Sequence, residues 1–189
     1  MKCNNLFKEA HESVTNWVKS SDEIVNKYLQ GYKDKGLEAF FKEAKPSYSS
    51  NTYRVGMLDK NLHLKEGNIV TNIFPFASSK NSEENQIFEH IASNKVKNMP
   101  NKVVTKFVID NSKVPQYDLQ ALGHNKAETE VLIKPDTKFI VDDVHETPNK
   151  RIIRLRAITN AEKRLSYRGK KEAIPLLGLA GAITYSSHK

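Results

Sequence analysis

The apolar positions of this chain change period near residue 50. Before it, Leu6, Ala10, Val14, Trp17 and Val18 recur at spacings of three to four, followed by Ile24, Val25, Tyr28 and Leu29 and then Leu37, Phe40 and Phe41. That is the period of helices burying one face. Residues 5–43 are therefore expected to form two or three short helices, broken at Gly31 and Gly36. Ser20 or Ser21, ahead of Asp22 and Glu23, is the expected N-cap of one of them, with acidic first-turn residues suiting the positive end of the helix dipole. Lys45-Pro46-Ser47-Tyr48-Ser49-Ser50 reads as a loop.

Beyond that loop the apolar residues alternate as strands do. Strands are expected at residues 51–58 around Tyr53, Val55 and Met57, at 68–76 around Ile69, Val70, Ile73 and Phe74, and at 102–109 around Val103, Val104, Phe107 and Val108. Others follow at 128–133, 138–143 and 151–159, and one helix at about 83–95 carries Ile87, Phe88 and Ile91 as its stripe. Helices first and then about six strands is the order of an α+β fold, not of an alternating βαβ fold. No glycine-rich phosphate loop or internal repeat is present. The apolar segment 173–185 is shorter than the about 20 residues a membrane-spanning helix needs. It is read as a final core strand, with a docking or membrane-surface tail as the other reading.

A length of 189 residues accommodates one main domain, with residues 1–46 as a helical lobe and 47–189 as a mainly β core. The single Cys3 excludes an intramolecular disulfide framework and a cysteine-based zinc site, and the histidines have no metal-ligand spacing. Lys2, Lys8, Glu9 and Glu12 interrupt what a signal peptide would need as an apolar run. This argues against the general secretory route and leaves signal-free delivery, or a cytoplasmic location, open. The net charge of +8, from 30 basic and 22 acidic residues, invites a nucleic-acid or anionic-surface partner. The densest basic stretch runs from Lys150 and Arg151 through Arg154 and Arg156 to Lys171, interleaved with apolar residues, as a strand with one charged face.

The candidate chemistry lies in the strand-rich part. In Glu128-Thr129-Glu130-Val131-Leu132-Ile133 strand alternation sends Glu128 and Glu130 to one face with Leu132. Two adjacent carboxylates cost stability unless a cation, a hydrogen-bond network or a substrate offsets them, and such pairs often serve acid/base or electrostatic work. An edge strand guarded against aggregation gives the same pattern. Arg54 interrupts the first strand, where it could also pair with an edge carboxylate. Ser78 and Ser79 follow Phe76-Ala77, where they could also form a turn and helix cap.

Taken in order, an arginine, a serine and a Glu-x-Glu strand resemble the Arg-Ser-Glu class of ADP-ribosyltransferases, which includes many bacterial toxins. The resemblance covers residues 50–144. Its strongest part is Glu128-Thr129-Glu130-Val131-Leu132-Ile133, the turn Lys134-Pro135-Asp136-Thr137 and then Lys138-Phe139-Ile140-Val141. Two departures stand out. Lys80 replaces the last serine of the family's Ser-Thr-Ser motif, and Val55 separates Tyr53-Arg54 from Gly56.

The resemblance implies a split β-sandwich core behind a helical region, NAD as substrate and transfer of ADP-ribose to a protein acceptor by a toxin or effector in a target cell. It makes Glu130 the carboxylate on the ribose, Ser78 its orienting partner, and Glu128 the group facing the acceptor. Arg54 becomes the clamp on the NAD phosphates, with Tyr53 and Ser79 beside it. Glutamate at position 128 implies an arginine acceptor. The loop ahead of the pair, with Tyr117, His124 and Asn125, becomes the candidate recognition segment. Nucleic acid as acceptor, drawn by the +8 charge, and a non-enzymatic module using the basic strand are the competing readings.

Overall fold

The computed structural model describes residues 2–19, 21–48, 51–123, 129–159, 161–162 and 173–176, with the backbone alone for residues 2–7. The helical period resolves into α1 (Lys2–Lys19), α2 (Asp22–Leu29) and α3 (Lys35–Glu43). Ser21 sits at the N-cap of α2, but its backbone is already helical at φ −77° and ψ −14°, and its side chain makes no capping bond. An extended N-cap is what lets a side chain turn back on the first free amides. Asp34, at φ −76° and ψ 116°, has that geometry and accepts from Leu37 N at 3.0 Å. Helices α1 and α3 cross closely at Gly36. A Cβ there would lie 2.1 Å from Ser13 Oγ and 2.5 Å from Glu9 O, so only glycine fits.

The remainder supplies β1 (Asn51–Asp59), β2 (Ile69–Thr71), β3 (Phe76–Ser79), α4 (Ser82–Val96), β4 (Lys102–Asp110), β5 (Tyr117–Asp118), β6 (Glu130–Ile133), β7 (Lys138–Thr147), β8 (Lys150–Ala157) and β9 (Ile174–Pro175). These nine strands are hydrogen-bonded in the order β5-β6-β3-β1-β4-β8-β7-β2-β9. The helices-then-strands order is thus the observed one. Strand β4 pairs with β8 in parallel and with β1 antiparallel, Arg54 standing opposite Phe107.

The run 68–76 does not form the one strand its composition suggests. Pro75 has no N–H for a ladder, and buried Asn72 donates from Nδ2 to Phe74 O and to Lys134 O, both at 2.9 Å. The chain therefore leaves β2, turns, and enters β3 beside β1. The expected turn after the glutamate strand is present, with Asp136 at φ 62° and its carboxylate 3.1 Å from Lys33 Nζ, a tie back to the helical lobe. At the C-terminal end β9 runs parallel to β2 and Leu176 is fully buried; residues 177–185 of the expected last strand lie outside the described residues.

One buried cluster runs from Val14 and Trp17 of α1 through Phe40 and Phe41 of α3 to Phe76, Phe107, Phe139 and Leu155 in the sheet. Phe76 packs edge-on against Phe107 at 6.0 Å between centroids. A second cluster, Val55, Ala92 and Val104, seats α4 on β1 and β4. Alternation along β1 explains the division. Arg54 and Leu58 face the side of Phe107, and Val55 faces α4. No helix among the described residues is long and apolar enough to cross a membrane.

Candidate active site

Strand β1 carries Arg54 into the protein, where it is 7% exposed. Its Nη1 donates to Ala77 O at 2.5 Å, and its Cζ lies 4.8 Å from the Phe76 ring centroid, a cation–π contact. Burial pushes this guanidinium down to about 10, against the opposing field of the Glu130 carboxylate. It therefore keeps its charge at neutral pH. Chain alternation places Tyr53 on the other face of β1, where Lys106 Nζ lies 5.6 Å from its ring centroid.

Strand β3 brings both serines beside β1. Ser78 is buried and its Oγ donates to Thr52 Oγ1 at 2.9 Å; the same oxygen accepts from Asn111 Nδ2 at 2.5 Å. Ser79 meets a different set. Its Oγ lies 2.6 Å from Glu84 Oε2 and 2.9 Å from Thr129 Oγ1, and accepts from Asn81 N at 2.9 Å. In the β3–β6 ladder Ser79 stands opposite Glu130, and Ser78 opposite Val131.

Glu130 opens β6 and is half-buried. The Trp17 indole, from α1, donates Nε1–H to Glu130 Oε1 at 3.1 Å. The residue before it is held separately: Thr129 Oγ1 donates to Glu84 Oε2 at 2.9 Å, and Lys80 N donates to Thr129 O at 3.0 Å. Glu84, in the first turn of α4, thus gathers two hydroxyls on one carboxylate oxygen, a charge-assisted arrangement. Glu128, His124 and Asn125 lie outside the described residues.

Lys80, which stands where the family has a serine, forms an ion pair with Asp118 of β5. Burial pushes the Asp118 carboxyl up, but Lys80 and the amides of Ala121 and Gln120 outweigh it and hold it below the usual carboxylate range. Tyr117 is a packing residue in this arrangement. It is 6% exposed, its hydroxyl donates to Phe41 O at 2.9 Å, and its ring lies 5.0 Å from that of Phe41.

The basic strand β8 has its charges committed. Arg151, 1% exposed, donates from Nε and Nη2 to Glu146 Oε1 at 3.0 and 2.5 Å and from Nη1 to Leu62 O at 2.8 Å. Arg156 forks onto Glu162 at 3.0 and 2.7 Å and also meets Asp142, while Arg154 faces Asp143 and Lys150 faces Glu89. Four cations matched by five carboxylates do not make a phosphate-binding row, so neither the basic module nor the nucleic-acid reading is favoured.

Trp17, Glu84, Thr52 and Asn111 were not singled out by sequence. Trp17 reads there as one more apolar position on the stripe Ala10, Val14, Trp17, and Glu84 as an ordinary first-turn acid. Their roles depend on partners 113 and 45 residues away, for which local pattern holds no signal.

No protein-family model matches the sequence, and no curated protein matches it significantly. Solved structures do match the fold. The Vis toxin, an ADP-ribosyltransferase from Vibrio splendidus, superposes with a TM-score of 0.61 at 18% identity, covering 80% of this chain and 74% of that one. An ADP-ribosyltransferase from Clostridium botulinum gives 0.55 at 14% identity, over 82% and 88%. Exoenzyme S from Pseudomonas aeruginosa, solved with human 14-3-3 protein beta and bound to carba-NAD, gives 0.55 at 14%, over 77% and 72%. Vis has also been solved with agmatine. The chain has the fold of the bacterial ADP-ribosyltransferases, as the Arg-Ser-Glu resemblance implies.

Proposed function

We propose that this chain is an NAD-dependent mono-ADP-ribosyltransferase that modifies a protein side chain, arginine, and acts as a toxin or effector in a target cell. The observation that carries the reading is the strand neighbourhood on this fold: β3 lies between β1, with its buried Arg54, and β6, where Glu130, the second glutamate of the Glu-x-Glu motif, stands opposite Ser79.

In the reaction the bond from ribose C1′ to nicotinamide breaks, and its electron pair leaves with the ring, which becomes neutral. The acceptor nitrogen bonds to C1′ and gives up a proton. Positive charge spreads over the ribose in the transition state, so a carboxylate beside it lowers the barrier most if it is already oriented. Glu130 fills that role through a ribose hydroxyl. Arg54, a planar fork that is charged at neutral pH, takes the NAD phosphates. Glu128 orients or deprotonates the acceptor. Ser78, with Thr52 and Asn111, braces β3 beside Arg54, and Ser79 braces the approach to Glu130. Tyr53 borders the strand from its α4 side.

Carba-NAD in Exoenzyme S supports NAD as the substrate, and agmatine in Vis, a guanidinium compound, supports an arginine acceptor. Incubating a cell lysate with labelled NAD and this protein tests the proposal. Label on protein, located on arginine and lost on protease treatment, is the expected result, and Glu128→Gln should spare NAD hydrolysis while removing transfer. Label that survives protease and is lost to nuclease would move the acceptor to nucleic acid.

A further inference from the structure

Trp17 is the only tryptophan of the chain, and it is 4% exposed on the buried stripe of α1. An indole N–H is a donor only and needs a partner when buried. Here the partner is not a nearby carbonyl but Glu130 Oε1 at 3.1 Å, the carboxylate at the start of β6. Helix α1 is itself fixed. Gly36 lets α3 approach it to contact with Ser13, and Trp17 belongs to the same buried cluster as Phe40, Phe41 and Leu132. The indole is therefore a rigid arm from the helical lobe to one oxygen of one carboxylate.

We propose that Trp17 is a positioning residue for Glu130, and that the helical lobe belongs to the active site through it; this rests on the functional reading above. Trp17 holds Oε1 and so fixes how the carboxylate is presented to the ribose. It touches neither NAD nor acceptor in this role and acts by setting the angle of Glu130. A hydrogen bond to a charged group is strong enough that losing it slows turnover about tenfold to a hundredfold. The effect falls on kcat, because Arg54, not Glu130, supplies the affinity for the phosphates.

The test replaces Trp17 by Phe and, to keep the packing, by the benzothienyl analogue, in which sulfur stands where the N–H was. Each is assayed for NAD hydrolysis in the parent and in a Glu130→Asp background, after a thermal melt has established folding. The expected result is a kcat at least about tenfold lower with KM for NAD within about twofold, and a much smaller loss in the Asp background, whose shorter carboxylate does not reach the indole. Tryptophan emission gives a readout without turnover: Glu130→Gln should shift it, since the charge beside the indole is removed. A folded benzothienyl variant with unchanged kcat, or equal losses in both backgrounds, overturns the role while leaving the functional reading intact. A parent that does not hydrolyse NAD overturns the functional reading, and this role with it.

Discussion

Ser79 faces Glu130 across the β3–β6 ladder, one residue along from the serine that the motif alone selects. Ser78 instead closes a buried chain with Thr52 and Asn111. The two hydroxyls therefore have separable consequences. Ser78→Ala is expected to cost about 1 kcal/mol of stability, since Thr52 loses one of its two partners, with a small change in turnover. Ser79→Ala is expected to lower kcat for NAD hydrolysis by more than Ser78→Ala does. Parallel melts and initial rates on the two variants check both statements, and a larger catalytic loss in Ser78→Ala would reverse the assignment.

Glu84 holds Ser79 and Thr129 on one oxygen, so it ties α4 to the residue between the two glutamates of the motif. Glu84→Ala is expected to release that residue, lowering transfer and hydrolysis together, at a cost of about 1–3 kcal/mol in stability for the partners it leaves. Denaturant unfolding followed by rate measurement separates the two effects. Retained activity in a folded variant would show that the tie is not needed.

Gly36→Ala places a methyl 2.1 Å from Ser13 Oγ and 2.5 Å from the Glu9 carbonyl oxygen. The serine side chain can rotate away, whereas the backbone oxygen moves only if α1 does. A loss of about 1–3 kcal/mol is expected, and a melt against Gly36→Ala combined with Ser13→Gly shows how much of it is the carbonyl. Because α1 carries Trp17, turnover should fall with the same variant.

Arg156 grips Glu162 with two nitrogens and holds its carboxyl down at about 2, from an ordinary value of 4.5. A carboxylate whose folded pKa is depressed stabilises fully above its unfolded value and loses that contribution as pH falls through the folded one. The advantage of the parent over Glu162→Gln should therefore be constant above pH 4.5 and shrink toward pH 2. Partial exposure of the pair limits it to about 1 kcal/mol. Melting temperatures of both proteins across this range check the sign.

Much of the fold is readable from local pattern, and the exceptions have physical causes. The short apolar runs around Val103, Val104 and Phe107 and around Phe139, Ile140 and Val141 mark strands because they are buried in the sheet, β4 with a cluster on each face, Phe107 in one and Val104 in the other. The break between β2 and β3 depends on Asn72 reaching Lys134, 62 residues away, and nothing in Thr71 to Phe76 beyond Pro75 announces it. In the candidate site, Arg54 and Glu130 draw attention in the sequence because a charged residue in an apolar strand is costly. That Ser79, and not Ser78, stands opposite Glu130 is a matter of strand register, which only pairing reveals. The basic strand misleads for a similar reason. Its neutralising partners Glu146, Asp143, Asp142 and Glu89 come from β7 and α4, and the sequence shows the cations clustered and the carboxylates scattered.

In the proposed reaction Glu130 stabilises charge developing on the ribose of NAD. Glu130→Gln keeps the shape of the side chain and an oxygen for the Trp17 indole while removing the negative charge. Measured as release of nicotinamide from labelled NAD, with folding verified by an unchanged melt, it is expected to reduce turnover by at least about a hundredfold. Equal release by the folded variant and the parent would contradict the account.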